Sequence, residues 1–130
     1  MTINYGFGTV FSGNFDMAVN AVTEALKTEG FGILTDADVA ATLKKKLDVD
    51  IPPYRILGAC NPALAHQALN VEPSVGLLLP CNVVVRQDDA GTVHVEFMDP
   101  GSVLNLVGNP DVATLADEVR GRLERVLLAL

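Results

Sequence analysis

Basic side chains are scarce in this 130-residue sequence. Nine lysines and arginines stand against sixteen aspartates and glutamates, for a net charge of −7. Such a surface repels a polyanion, which argues against nucleic acid and anionic membrane as partners. Long apolar runs are also missing. The longest, near residues 75–85, is broken by Pro80, Cys81 and Asn82 and is far too short to span a bilayer. Residues 1–10 have neither the basic start nor the apolar stretch of a secretory leader, so the cytoplasm is the expected location. Cysteine is nearly absent: Cys60 and Cys81 are the two present, and a reducing compartment keeps both as free thiols. Their spacing fits neither a CxxC redox motif nor a zinc knuckle. Gly6 and Gly8 make no GxGxxG fingerprint, and no Walker loop, Ser-His-Asp order or paired-carboxylate helix occurs.

What is present suits one globular domain. Hydrophobic residues make up 49% and charged residues 19%, a composition that can bury a core. A chain of 13.8 kDa is expected to expose about 6,600 Å² when folded and roughly 20,000 Å² when unfolded. Two thirds of the surface is then buried, which needs no metal or disulfide to support it.

Periodicity and capping residues divide the chain. Residues 3–11 read as a strand with Tyr5, Phe7 and Thr9 on one face. Asn14 caps a helix whose apolar positions are Phe15, Ala18, Val19, Val22, Ala25 and Leu26, with Gly30 as its stop. Phe31–Leu34 reads as a short strand. Thr35 starts a second helix, with Thr35 and Asp38 at capping-box spacing and Val39, Leu43 and Leu47 as its stripe. Lys44, Lys45 and Lys46 complement the negative end of that helix and read as a solvated face. After the stiff Ile51-Pro52-Pro53 connector, Tyr54–Ala59 reads as a strand, and Asn61-Pro62 opens a short helix. Val75–Leu79 reads as a strand buried on both faces, with a bulge or sheet edge at Pro80. Residues 81–98 form a hairpin around Asp88–Gly91. Pairing apolar with apolar places Val85 by Val93, Val83 by Val95 and Cys81 by Phe97. Asp99-Pro100-Gly101 reads as a turn. Asn109-Pro110 then starts a last helix with Val112, Leu115, Ala116, Val119, Leu123 and Val126 on one side. Gly121 in that helix suggests close packing. The expected fold is α+β: a mostly antiparallel sheet of about five strands packed with amphipathic helices.

Chemistry concentrates at the two cysteines. Cys60 precedes the Asn61 cap, where unsatisfied backbone N–H groups stabilise a thiolate. Cys81 lies on the core face of the hairpin, where burial disfavours a charged form. Cys60 is therefore the expected reactive thiol and Cys81 the inert one. Each is followed by asparagine, as Cys60-Asn61 and Cys81-Asn82, so both could line one cleft and there bind a soft metal such as Cu(I) or Zn. With His66 they offer three ligands, whereas a structural zinc needs four. His94, on the polar side of the hairpin with Glu96, reads as a solvent histidine.

The run Pro53-Tyr54-Arg55-Ile56-Leu57-Gly58-Ala59-Cys60-Asn61-Pro62-Ala63-Leu64-Ala65, followed by Pro73-Ser74-Val75-Gly76-Leu77-Leu78-Leu79-Pro80-Cys81-Asn82-Val83, resembles the DUF302 family. The later Asp99-Pro100 and the Gly30-Phe31 step resemble it too. The resemblance implies a small α+β domain found as a dimer, and directs attention to Cys60, Asn61, Pro80, Cys81, Asn82 and Asp99. It supplies no reaction and no cofactor. The expected function is a binding module for a small molecule, a soft metal or a sulfur species, with Cys60, Asn61, Cys81, Asn82 and Asp99 as ligand-binding residues. The alternatives are a thiol-dependent enzyme with Cys60 as nucleophile, assisted by Asp99 or His66, and a purely structural dimer.

Overall fold

Each α-helix begins at an Asn or Asp whose side chain accepts a backbone N–H of the first turn. In the computed structural model, which describes residues 3–130, Asn14 caps α1 (Phe15–Thr28), accepting from the Met17 N–H at 2.8 Å. Met1 and Thr2, the first two of the ten residues without a leader pattern, lie outside the described residues. Asp38 caps α2 (Val39–Leu47), Asn61 caps α3 (Pro62–Val71), Asp99 caps α4 (Pro100–Leu104) and Asn109 caps α5 (Pro110–Leu128). Proline follows the cap in α3, α4 and α5, where its fixed φ suits the first turn and its missing N–H costs nothing. No helix among the described residues is long and apolar enough to cross a membrane.

Five strands, β1 (Gly6–Phe11), β2 (Gly32–Asp38), β3 (Tyr54–Cys60), β4 (Cys81–Gln87) and β5 (Val93–Met98), form one open sheet in the order β1-β5-β4-β3-β2. Every neighbouring pair is antiparallel. The architecture is the α+β fold expected from the sequence. On one face, Leu57, Ala59, Cys81, Val83, Val85, Val93, Val95 and Phe97 are buried against Ala18, Val22 and Leu26 of α1 and Leu123 and Val126 of α5. A second, smaller cluster gathers Ala68, Val75, Leu104, Val112 and Ala116. Helix α5 serves both: its first half enters the small cluster and its second half the large one. On the other face of the sheet, Tyr54, Ile56, Val84, Arg86, His94, Glu96 and Met98 are half-buried and Asn82 is exposed.

Several local readings are corrected. The second helix does not start at Thr35. Thr35, Asp36 and Ala37 extend β2 alongside β3 after a bulge at Leu34, and Asp38 caps the helix by accepting from Ala41 N–H at 2.9 Å. Pairing with the long strand β3, reinforced by the Arg55–Asp36 ion pair, outweighs the local capping signal. Val75–Leu79 is not a strand: Pro73–Leu78 is a 3₁₀ helix, with Val75 buried but Leu77 88% exposed. A short apolar run has no periodicity that separates the two, and Pro73 favours a helical start. The hairpin register also differs by two residues. Val83 pairs with Phe97, Val85 with Val95 and Gln87 with Val93. Its loop is Asp89-Ala90-Gly91, with Gly91 at φ 86° and Asp88 accepting N–H groups of Ala90 and Thr92. Such three-residue loops take glycine in the left-handed position. A two-residue shift keeps the faces, so Cys81 stays on the core side, but opposite Ala59 of β3 instead of Phe97. His94 is not a lone solvent histidine; its Nε2 lies 2.8 Å from Asp88 Oδ2. A Cβ at Gly121 would have no neighbour nearer than the Arg125 guanidinium at 3.9 Å, so this glycine serves no close packing.

Asp99 is a structural clamp rather than a simple turn. Its Oδ1 accepts from Gly101 N–H at 2.9 Å and Ser102 N–H at 3.4 Å; its Oδ2 accepts from Ser102 Oγ at 3.2 Å and from the Arg120 guanidinium. Arg120 in turn lies 4.5 Å above the ring of Phe7, which stacks on Phe97. The clamp thus ties β1, β5, α4 and α5 together. Burial pushes the Asp99 carboxyl up, but the hydrogen bond and charge of Arg120, with the Ser102 and Gly101 N–H groups, outweigh it and hold the group below the usual carboxylate range. Its stabilisation is therefore complete above about pH 4, the unfolded value, and is lost as pH falls through the lower folded value. Asp99→Asn is expected to cost about 1–3 kcal/mol near neutral pH, and the gap to wild type should close in acid. Urea unfolding of both proteins from neutral pH down to about pH 2 checks this; a gap that does not narrow would show that the charge on Asp99 contributes nothing.

Candidate functional site

The end of β3 and the start of β4 create the site. β3 finishes at Cys60, and Asn61 turns the chain at once into α3 by accepting from Leu64 N–H at 3.2 Å. The chain returns through the 3₁₀ helix and a cis Leu79–Pro80 peptide to Cys81, which pairs across from Ala59. Between these strand ends and α3, α4, α5 and the 3₁₀ helix lies a cleft of about 260 Å³. It occupies the seam between the two hydrophobic clusters: Phe31, Ala59 and Cys81 line it from the large one, and Ala68, Leu104 and Val112 from the small one. No lining residue is charged. The polar side chains on its wall are Cys60, Asn61 and Cys81.

These three differ in what they can do. The Asn61 side chain is already committed. Besides capping α3, its amide donates to the Glu29 carbonyl at 3.4 Å, which also accepts from Arg122 Nη1 at 3.0 Å. Gly30 permits this junction, because its φ is 83° and a Cβ there would lie 2.9 Å from Asn61 Nδ2. Cys60 is half-buried and Cys81 is 6% exposed. Burial, and secondarily the nearby Cys60, pushes the Cys81 thiol up to about 11. Cys81 is thus a neutral thiol at physiological pH.

The other residues singled out by the sequence lie elsewhere. Asn82 follows Cys81 on a strand, so alternation sends it to the opposite face of the sheet, into a shallow depression with Tyr54, Arg86 and Glu96. Asp99 is occupied by α4 and Arg120 and does not line the cleft. His66 is on the exposed side of α3, so the Cys60, Cys81 and His66 ligand set does not assemble. Among the described residues no group of three or more His, Cys, Asp or Glu side chains is placed to hold a metal ion. Sequence reasoning missed Leu34 and Gly76 as lining residues, since both were assigned to regular strands. Leu64, Ala65, Ala68 and Leu69 gave an apolar helix face, and such a face looks the same whether it meets a core or a cleft.

Residues 7–130 match the family described as "Domain of unknown function DUF302". The chain is also similar to the crystal structure of an uncharacterized conserved protein DUF302 from Bacillus stearothermophilus, with 30% sequence identity over 98% of each chain and a TM-score of 0.90. No curated protein matches it. The fold and the sequence agree with the resemblance carried by the two Cys-Asn blocks, and the chain belongs to the DUF302 family.

Proposed function

We propose that this domain is a binding module that holds a small apolar ligand in the cleft beside Cys60 and Cys81. The observation that carries this reading is the cleft itself, a seam between two cores left open and walled by apolar side chains and two thiols. Ordinary packing closes such space, because interiors reach the density of organic crystals. A ligand bound there removes the exposed apolar wall from water. The cytoplasm is the setting this reading takes, with both cysteines reduced. Turnover at Cys60 is the weaker reading. A nucleophilic thiol needs a base or a cation within reach, and neither His66 nor Asp99 lines the cleft. A soft metal would find two thiols there, fewer than the four ligands of a structural zinc.

Benzene and indole serve as neutral probes. At about ten times its Kd, a probe that enters the cleft should raise the melting temperature by roughly 5 °C. Timed iodoacetamide labelling near neutral pH, read by peptide mass, should modify Cys60 before Cys81, and the probe should slow the reaction at Cys60. Unchanged melting and unchanged labelling with both probes would overturn the reading. Labelling of Cys81 first would show that the roles of the two thiols are reversed.

The partner in this proposal is a second copy of the chain, seated on the face of the sheet opposite the helices. The chain exposes 7,300 Å², about 700 Å² more than the roughly 6,600 Å² expected at this mass. A standard interface takes ~800 Å² from each partner. The face is also self-complementary in charge. Arg86 donates to Glu96 at 2.7 Å, among the half-buried Ile56, Val84 and Met98, so the face joins apolar side chains to one charge of each sign, a pattern that a two-fold copy can match. Light scattering at micromolar concentration should give twice the 13.8 kDa of the chain, and Val84→Glu should return it to one. A wild-type mass of a single chain would exclude the dimer.

A further inference from the structure

We infer that the cleft takes the end of an unbranched, uncharged hydrocarbon chain, and that Gly76 is the residue that keeps room for it. This rests on the binding reading above and names its ligand class. Gly76 lies in the 3₁₀ helix and lines the cleft. Its φ is outside the left-handed region, and a Cβ built on it meets nothing within 4 Å. Neither backbone conformation nor a close neighbour demands glycine there, and glycine in a helical turn is less stable than alanine. Gly76 is itself exposed, so it stands at the rim of the cleft, and the consequence that remains is an open entrance.

Size and polarity then select the occupant. A cavity of 150 Å³ accommodates benzene, so on that scale one of about 260 Å³ takes about ten carbon atoms. No lining side chain is charged, the Asn61 amide is already paired, and Cys81 is a neutral thiol. A carboxylate or phosphate drawn inside would lose its water without gaining a partner. The polar end of the ligand therefore stays outside. Leu34 and Leu69 line the cleft yet are 65% and 44% exposed, so the apolar surface continues past the mouth. That continuity favours an extended chain over a compact ring. The net charge of −7 adds a field that opposes an anionic head group.

The test uses the full chain and a series of n-alcohols from hexanol to tetradecanol, with sodium decanoate as the charged counterpart. Affinity by calorimetric titration should rise roughly fourfold per added carbon and level off near decanol. Decanoate should bind at least about tenfold more weakly than decanol. Gly76→Leu should weaken decanol by more than about tenfold, because its side chain crowds the entrance that the ligand's chain must occupy, and Gly76→Ala should do so to a smaller extent. Both variants should melt no lower than wild type, which separates a crowded entrance from a damaged fold. Equal binding of decanoate and decanol, no dependence on chain length, or unchanged decanol affinity in Gly76→Leu would each overturn the inference. If benzene binds in those cases, the binding reading stands without it; if neither benzene nor any alcohol binds, both fall.

Discussion

The carbonyl of Glu29, at the end of α1, is where three parts of the chain are held at once. Asn61 and Arg122 both donate to it, so the last turn of α1, the start of α3 and the outer half of α5 meet at one oxygen. Such a contact satisfies an acceptor that a helix end otherwise leaves open, and Arg122 adds a cation at the negative end of the α1 dipole. Arg125 reinforces the junction through the Glu29 carboxylate at 2.8 Å. Because Asn61 also caps α3, the junction fixes the angle at which α3 leaves β3. That angle decides how far α3 stands from the sheet, and hence whether a cleft exists.

The two hydrophobic clusters follow from the same geometry. α1 and the outer half of α5 cover the large sheet face. α3, the 3₁₀ helix and α4 are set beyond the end of the sheet and form their own small cluster on the inner half of α5. One continuous core would have required α3 to lie flat on the strands. Two clusters joined by one helix instead leave a seam, and the cleft is that seam. The Asp99–Arg120 clamp holds the α4 side of it, and the Asn61–Glu29–Arg122 junction holds the α3 side. Both devices are polar, and Asn61 is the one residue of them that lines the cleft; the rest of the wall is apolar apart from the two thiols. A site built this way is set by its supports rather than by groups that contact a ligand.

Local rules made much of this legible. The caps Asn14, Asn61 and Asn109 act within three residues of themselves, so their signals survive folding unchanged. The core face of the hairpin was equally legible, because alternation is a property of the strand alone. Its register was not, because register depends on the loop, and Gly91 in the left-handed conformation selects a three-residue loop that the pattern of valines does not encode. Thr35, read as the start of the second helix, gave way to Asp38 for a similar reason: the strand that absorbs Thr35 is stabilised by β3, nineteen residues away at the Asp36–Arg55 pair. The cleft was least legible. Leu34, Leu69 and Gly76 become lining residues through the separation of distant elements, and nothing in an apolar pattern distinguishes a wall facing a partner from a wall facing space.

The paired Cys-Asn steps show how a repeated motif can divide its work. At Cys60-Asn61 the strand ends, so both residues turn toward the same end of the sheet: the thiol lines the cleft and the amide caps the helix. At Cys81-Asn82 a strand begins, and alternation separates the pair, Cys81 toward the cleft and Asn82 toward the opposite face. The two thiols therefore arrive at one place from strands paired at Ala59 and Cys81, while the two asparagines serve different surfaces. This division also bears on reactivity. The burial that brings Cys81 to the cleft raises it to about 11, as does the nearness of Cys60, so a thiolate at Cys60 opposes a second one beside it. A neutral Cys81 thiol beside Cys60, in a wall with no basic side chain, makes a weak nucleophilic centre and a soft, polarizable surface. Such a surface suits contact with an apolar ligand.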